Sequence, residues 1–118
     1  MADSVLKNKS YSFALKIVTL SRNLQAEKVF VLSKQIMRSG TAIGALIREA
    51  EYAQSKLDFI HKLSIALKEA NETEYWLNIM KDTNYIDDKI FYDLSKDCSE
   101  IIALLVSSIK TAKKNVGK

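Results

Sequence analysis

A chain of 118 residues with no proline and only three glycines is poorly supplied for any fold built on tight turns. Sheet architectures need turn residues about every 8–12 positions, and this chain does not have them. Long helices joined by a few short connections are what remains, and the abundance of Leu, Ile, Ala, Lys and Glu fits that reading. Apolar residues make up 47% of the chain, enough to close a core. A chain of this size buries roughly two-thirds of its unfolded surface as one domain. Residues 1–118 are therefore read as a single all-α domain.

Apolar residues recur at helical spacing in four segments, about 4–22, 28–53, 56–83 and 88–114. The first opens on Asp3 or Ser4, either a good N-cap, and places Leu6, Phe13, Ile17, Leu20 and Leu24 on one stripe. Its end, near Asn23–Glu27, carries no Gly or Pro; Asn23 is the residue there best suited to a left-handed cap. The second segment carries Val29, Leu32, Ile36, Ile43, Ile47 and Ala50 on its core face, flanked by Gly40 and Gly44. A glycine costs about 1 kcal/mol in a helix interior, so this pair is expected to serve close approach of a neighbouring helix, with Gly44 at the crossing. The charged flanks Arg38 and Arg48 rule out a membrane-dimer reading of the same spacing.

Ser55 and Asp58 form a variant of the capping box at the start of the third segment, which continues through Phe59, Leu63, Ala66, Ala70, Leu77 and Met80. Asn84 is read as its C-cap. Asp87 is read as the N-cap of the fourth, with Ile86 and Phe91 as a hydrophobic staple. Phe91, Leu94, Cys98, Ile101 and Leu105 form its seam, and Lys110, Lys113 and Lys114 suit the negative end of its dipole. Four such helices with short connections predict an antiparallel up-down-up-down four-helix bundle.

Net charge is +4, but it is unevenly spread. Residues 1–48 hold eight basic and two acidic side chains, residues 49–100 six and twelve, and residues 101–118 four lysines and no acid. On the second helix Lys34, Arg38, Thr41, Ala45, Arg48 and Tyr52 share the face opposite the core. With Lys16, Arg22, Lys28 and the lysine-rich tail, the bases of this stripe can form the positive patch that phosphate binding needs. An ordinary solvated face, or a surface that meets the acidic middle of a neighbouring subunit, accounts for the same pattern.

The third helix has a second feature. Nearly opposite its core arc lie His61, Ile65, Lys68, Glu72, Trp76 and Ile79, where a monomer would be polar throughout. This stripe, and His61, Ile65, Trp76 and Ile79 in particular, is read as a subunit interface.

No catalytic constellation, phosphate loop or metal-ligand spacing is present, so neither enzyme activity, cofactor nor metal is expected. His61 is the sole histidine, and Cys98 sits on an apolar seam that disfavours the thiolate. The lone cysteine agrees with a reducing cytosol, and MADSVLKNKS has no apolar signal region. The longest apolar runs, Ala42–Ile47 and Ile101–Val106, are six residues each, against about 20 for a membrane span. A soluble cytoplasmic protein without a membrane partner is expected.

The stretch SKQIMRSGTAIGALIREAEY (Ser33–Tyr52), followed by DFIHKLSIALKEANETEYWL (Asp58–Leu77), resembles the bacterial four-helix-bundle family encoded by intervening sequences in 23S ribosomal RNA genes. The likeness covers nearly the whole chain and is strongest from Leu32 to Leu77. Family members often carry a proline within the segment matching Thr41–Leu46, which this chain lacks. The resemblance implies a ring-shaped homopentamer and no catalytic activity. A related barrel occurs in the accessory protein of diversity-generating retroelements, which binds nucleic acid and a reverse transcriptase. The expected function is an oligomeric scaffold that binds RNA or DNA through Lys16, Arg22, Lys28, Lys34, Arg38 and Arg48. The alternative is a protein-interaction module whose charge asymmetry serves self-assembly only.

Overall fold

The computed structural model describes residues 2–116, with side chains from residue 5 onward. It contains four helices, α1 (Ala2–Ala26), α2 (Phe30–Glu51), α3 (Lys56–Asp82) and α4 (Asp88–Val116), and no strand among the described residues. Side-chain pairs set their directions. Lys7 near the start of α1 reaches Glu51 at the end of α2, while Ser21 reaches Ser33. Glu49 of α2 meets Lys62 of α3, and Glu74 of α3 meets Ser95 of α4. Lys9 and Lys16 of α1 pair with Glu100 and Asp97 of α4. Each helix therefore runs antiparallel to both neighbours, in a bundle measuring 52 × 22 × 20 Å. Helices α1 and α3, like α2 and α4, face each other diagonally across the core.

The seams read from the sequence are the buried ones. Leu6, Phe13, Ile17, Leu20 and Leu24 of α1 all lie in the core, as do Ile36, Ile43, Ile47 and Ala50 of α2. Val29, Leu32, Phe59 and Phe91 pack at its margin, half-buried. The core also takes in Ser10, Ser21, Ser33, Ser39 and Thr73, five small polar residues that periodicity of apolar residues cannot find. Each is hydrogen-bonded: Ser21 donates to the Ser33 carbonyl across the α1/α2 seam at 3.1 Å, and the Ser39 and Thr73 hydroxyls meet at 2.9 Å. Satisfied in this way, they let the helices approach without an orphaned polar group.

Gly40 and Gly44 both face α1, with different tolerances. A Cβ on Gly40 would stand 2.9 Å from two carbons of Ile17, whereas one on Gly44 would meet the Ser10 carbonyl oxygen at 3.4 Å. Both mark the crossing, but Gly40 is the position where a side chain does not fit.

Two connections depart from the expected boundaries. Helix α1 runs through Asn23 to Ala26, and the left-handed residue is Lys28, at φ 66°. Its N–H bonds the Gln25 carbonyl at 2.9 Å, and the Val29 N–H reaches the Leu24 carbonyl at 2.8 Å. This is a Schellman closure, with Val29 packed against the core as its apolar clasp. Asn23 is thus not the cap, and α2 begins at Phe30 rather than Lys28. The same closure ends α3: Asn84 stands at φ 65°, its N–H on the Lys81 carbonyl, and the Tyr85 N–H on that of Met80.

The caps expected at Ser55 and Asp87 form, whereas α1 starts at Ala2 and runs through Asp3 and Ser4, whose side chains lie outside the described ones. Ser55 Oγ accepts from the Asp58 N–H at 3.0 Å, and the Asp58 carboxylate accepts from the Gln54 N–H at 3.1 Å, one residue earlier than an ideal box. Asp87 Oδ1 accepts from the Ile90 N–H at 2.8 Å, with Ile86 buried and Phe91 half-buried beside it.

Candidate nucleic-acid interface

Ion pairing sorts the basic residues. Lys16 lies between Asp97 (2.7 Å) and Asp93 (3.2 Å) of α4, and its pKa is raised, first by the hydrogen bond to Asp97. Arg38 is equally engaged, with Glu69 at 3.1 Å and with Glu72. Lys7 pairs with Glu51, Lys9 with Glu100 and Lys62 with Glu49. These pairs occupy seven of the acidic side chains of the chain's middle. Much of the charge asymmetry along the sequence is thereby neutralised within the chain itself.

Of the residues expected to contact phosphate, Arg22, Lys28, Lys34 and Arg48 are exposed, with no carboxylate at ion-pair distance among the described residues. The fold does not bring these four together. Arg22, Lys28 and Lys34 lie where α1 hands over to α2, near the acids Glu27, Asp82, Asp87 and Asp88. Arg48 lies about 21 Å further along α2 at 1.5 Å per residue, at the opposite end of the bundle.

At that opposite end a second group assembles. The end of α2, the start of α3 and the end of α4 converge there. Ala50, Ala53, Lys56 and Phe59 line one shallow cleft of about 340 Å³ with Ala112 and Asn115. Lys56, Lys110, Lys113 and Lys114 are all exposed and join Arg48 at this end. Among the described side chains the nearby acids are spoken for: Glu49 and Glu51 are in ion pairs, and Asp58 caps the backbone. The lysines of α4 are visible in the sequence, but that they share an end of the bundle with Arg48 and Lys56, more than fifty residues away, is a product of the antiparallel topology.

The expected interface stripe of α3 is also relocated. Arg38 of α2 reaches across to Glu69 and Glu72, so this flank faces α2 rather than standing directly away from the core. Ile65, Trp76 and Ile79 are half-buried, whereas His61 and Lys68 of the same stripe are exposed. Trp76 packs against the core margin and donates its indole N–H to Glu72 Oε2 at 3.1 Å. The Glu72 carboxyl is held below its ordinary pKa, first by that indole and then by Arg38. The exposed face of α3 runs through His61, Ser64, Lys68, Asn71, Tyr75, Asn78 and Asp82. The stripe thus winds from the exposed face at His61 and Lys68 to the α2 flank at Glu72 and Trp76.

Cys98 is buried, with its thiol near the Ala70 carbonyl, and burial pushes its pKa up to about 12. No described helix is long and apolar enough to cross a membrane.

The chain is similar to a crystal structure from Bacteroides thetaiotaomicron VPI-5482, described as a protein with unknown function from the S23 ribosomal protein family. The two are 57% identical, over 93% of this chain and 99% of that one, with a TM-score of 0.91. No curated protein matches the chain. A family model, that of the 23S rRNA-intervening sequence protein, matches residues 2–107. Agreement over nearly the full length, in sequence and in four-helix architecture alike, means that the chain belongs to the 23S rRNA-intervening sequence protein family.

Proposed function

We propose that this protein is a non-enzymatic cytoplasmic scaffold that self-associates, as a ring-shaped homopentamer, and binds RNA or DNA through its unpaired basic side chains. One observation carries the reading: intrachain pairs take up seven acidic side chains, while Arg48, Lys56, Lys110, Lys113 and Lys114 share one end with no free carboxylate described beside them. Phosphate contacts are what such a surface supplies, and they position a nucleic acid without reading its sequence. Repetition of the surface in an assembly multiplies the attraction. The intervening sequences of ribosomal RNA genes named in the family's description agree with a nucleic-acid setting.

The test is a pair of measurements. Light scattering gives the mass of the assembly, and titration of a generic RNA and DNA at two salt concentrations then gives affinity and its slope. Binding should weaken steeply with salt, by about 0.9 in log–log slope per phosphate neutralised on a duplex. Changing Arg48, Lys113 and Lys114 together to Gln should flatten that slope for unrelated sequences alike. No binding by the intact assembly at low salt overturns the reading.

A second reading has its own support. Phe30 and Val31 at the start of α2 are 62% and 76% exposed, and Tyr11 and Leu15 on α1 are 60% and 53% exposed. Adjacent apolar residues left in water favour a protein-interaction module, which predicts salt-tolerant assembly and no affinity for nucleic acid.

A further inference from the structure

Tyr52 caps α2 at the turn into α3 and is 79% exposed, more than any other large apolar side chain described. Arg48 precedes it by one helical turn, and Lys56 follows it as the first residue of α3. The last turns of α4 border the same place, since Ala112 and Asn115 line a cleft with Ala53 and Lys56. Lys113 and Lys114 belong to the same last turns of α4, exposed on faces turned away from that cleft. The ring of Tyr52 stacks on no other aromatic ring and under no cation among the described residues.

An aromatic face left in water between two cations with no ion-pair partner among the described residues matches the two parts of a single-strand site: a stacking platform and phosphate neutralisation. Shape favours a single strand as well. A duplex keeps its base faces stacked inside, and it is stiff over about 150 base pairs, so it meets the end of a bundle 22 × 20 Å across at few phosphates. A flexible strand can lay a base on the ring and pass its backbone along the cations on either side. We propose that the Tyr52 tip binds single-stranded nucleic acid, with one base on the tyrosine ring and adjacent phosphates at Arg48 and Lys56. The proposal rests on the reading that the unpaired basic surface binds nucleic acid.

Fluorescence anisotropy of the intact protein tests it with labelled oligouridine and oligothymidine of about 20 nucleotides and a mixed-sequence duplex of equal length. The single strands should bind more tightly than the duplex. Tyr52→Ala should weaken single-strand binding by about 5- to 150-fold and leave duplex affinity unchanged, while Tyr52→Trp should retain it. Circular dichroism checks that both variants keep their helices. Salt-sensitive binding that ignores Tyr52→Ala, or that is equal for strand and duplex, overturns the proposal and spares the basic-surface reading. Absence of binding to all three probes at low salt overturns both.

Discussion

The hydroxyls of Ser39 and Thr73 lie 2.9 Å apart in the buried seam between α2 and α3. Thr73 Oγ1 is also 2.8 Å from the Glu69 carbonyl, one turn earlier on its own helix. That carbonyl can take the threonine proton, leaving Ser39 to donate to Thr73. Both side chains are fully buried, so each depends on the other in place of water.

Thr73→Val keeps the shape but removes the partner of Ser39, and should cost about 1–3 kcal/mol in denaturant unfolding. Adding Ser39→Ala should recover part of that loss, because an unpaired buried hydroxyl costs more than an absent one. Strictly additive losses in the double variant would show that the two hydroxyls do not interact.

The two glycines of α2 should respond with opposite signs. Gly40→Ala drives a methyl into Ile17 and should destabilise by about 1–3 kcal/mol. Gly44→Ala has room beside Ser10 and should stabilise by up to about 1 kcal/mol through helix propensity. Melting temperatures of the two single variants decide the matter, and a gain for Gly40→Ala would contradict the α1/α2 packing described above.

Lys28 holds a left-handed conformation that L-residues adopt at a cost of about 1–2 kcal/mol. Lys28→Gly should therefore raise stability by about 0.5–1 kcal/mol after the unfolded-state entropy of glycine is deducted. Asn23→Gly, within the last turns of α1, should lower it. The comparison by thermal unfolding locates the helix end in solution.

Glu72 should report on its own pH dependence through the single tryptophan of the chain. Its folded pKa is depressed, first by the Trp76 indole and then by Arg38. The stabilisation it contributes is therefore present above the unfolded-state pKa and is lost as pH falls through the folded one. Trp76 fluorescence should change over that acid window, and Glu72→Gln should abolish the change. In Trp76→Phe, carboxyl NMR should show the Glu72 pKa rising toward its ordinary value.

Local signals account for what was legible in the chain alone. Four helices, their apolar seams and the Ser55 and Asp87 caps depend on residues within a turn or two of each other, so the spacing of Leu6, Phe13, Ile17, Leu20 and Leu24 suffices to place a buried face. The end of α1 was not legible. A lysine in the left-handed position carries no propensity signal, and Lys28 is held there by closure of the backbone over Leu24 with Val29 packed on the core.

The fate of the charges depended on the fold as a whole. Lys16 and Arg38 looked equivalent to Lys34 and Arg48 in the sequence, yet the first two meet carboxylates 31 to 81 positions away. The other two meet none among the described residues. Residue type and periodicity determine which face of each helix is apolar. Only antiparallel packing decides which polar faces then confront each other, and so which cations remain free at the Tyr52 end, because Coulomb and hydrogen-bond partners are chosen by distance in space and not by distance along the chain.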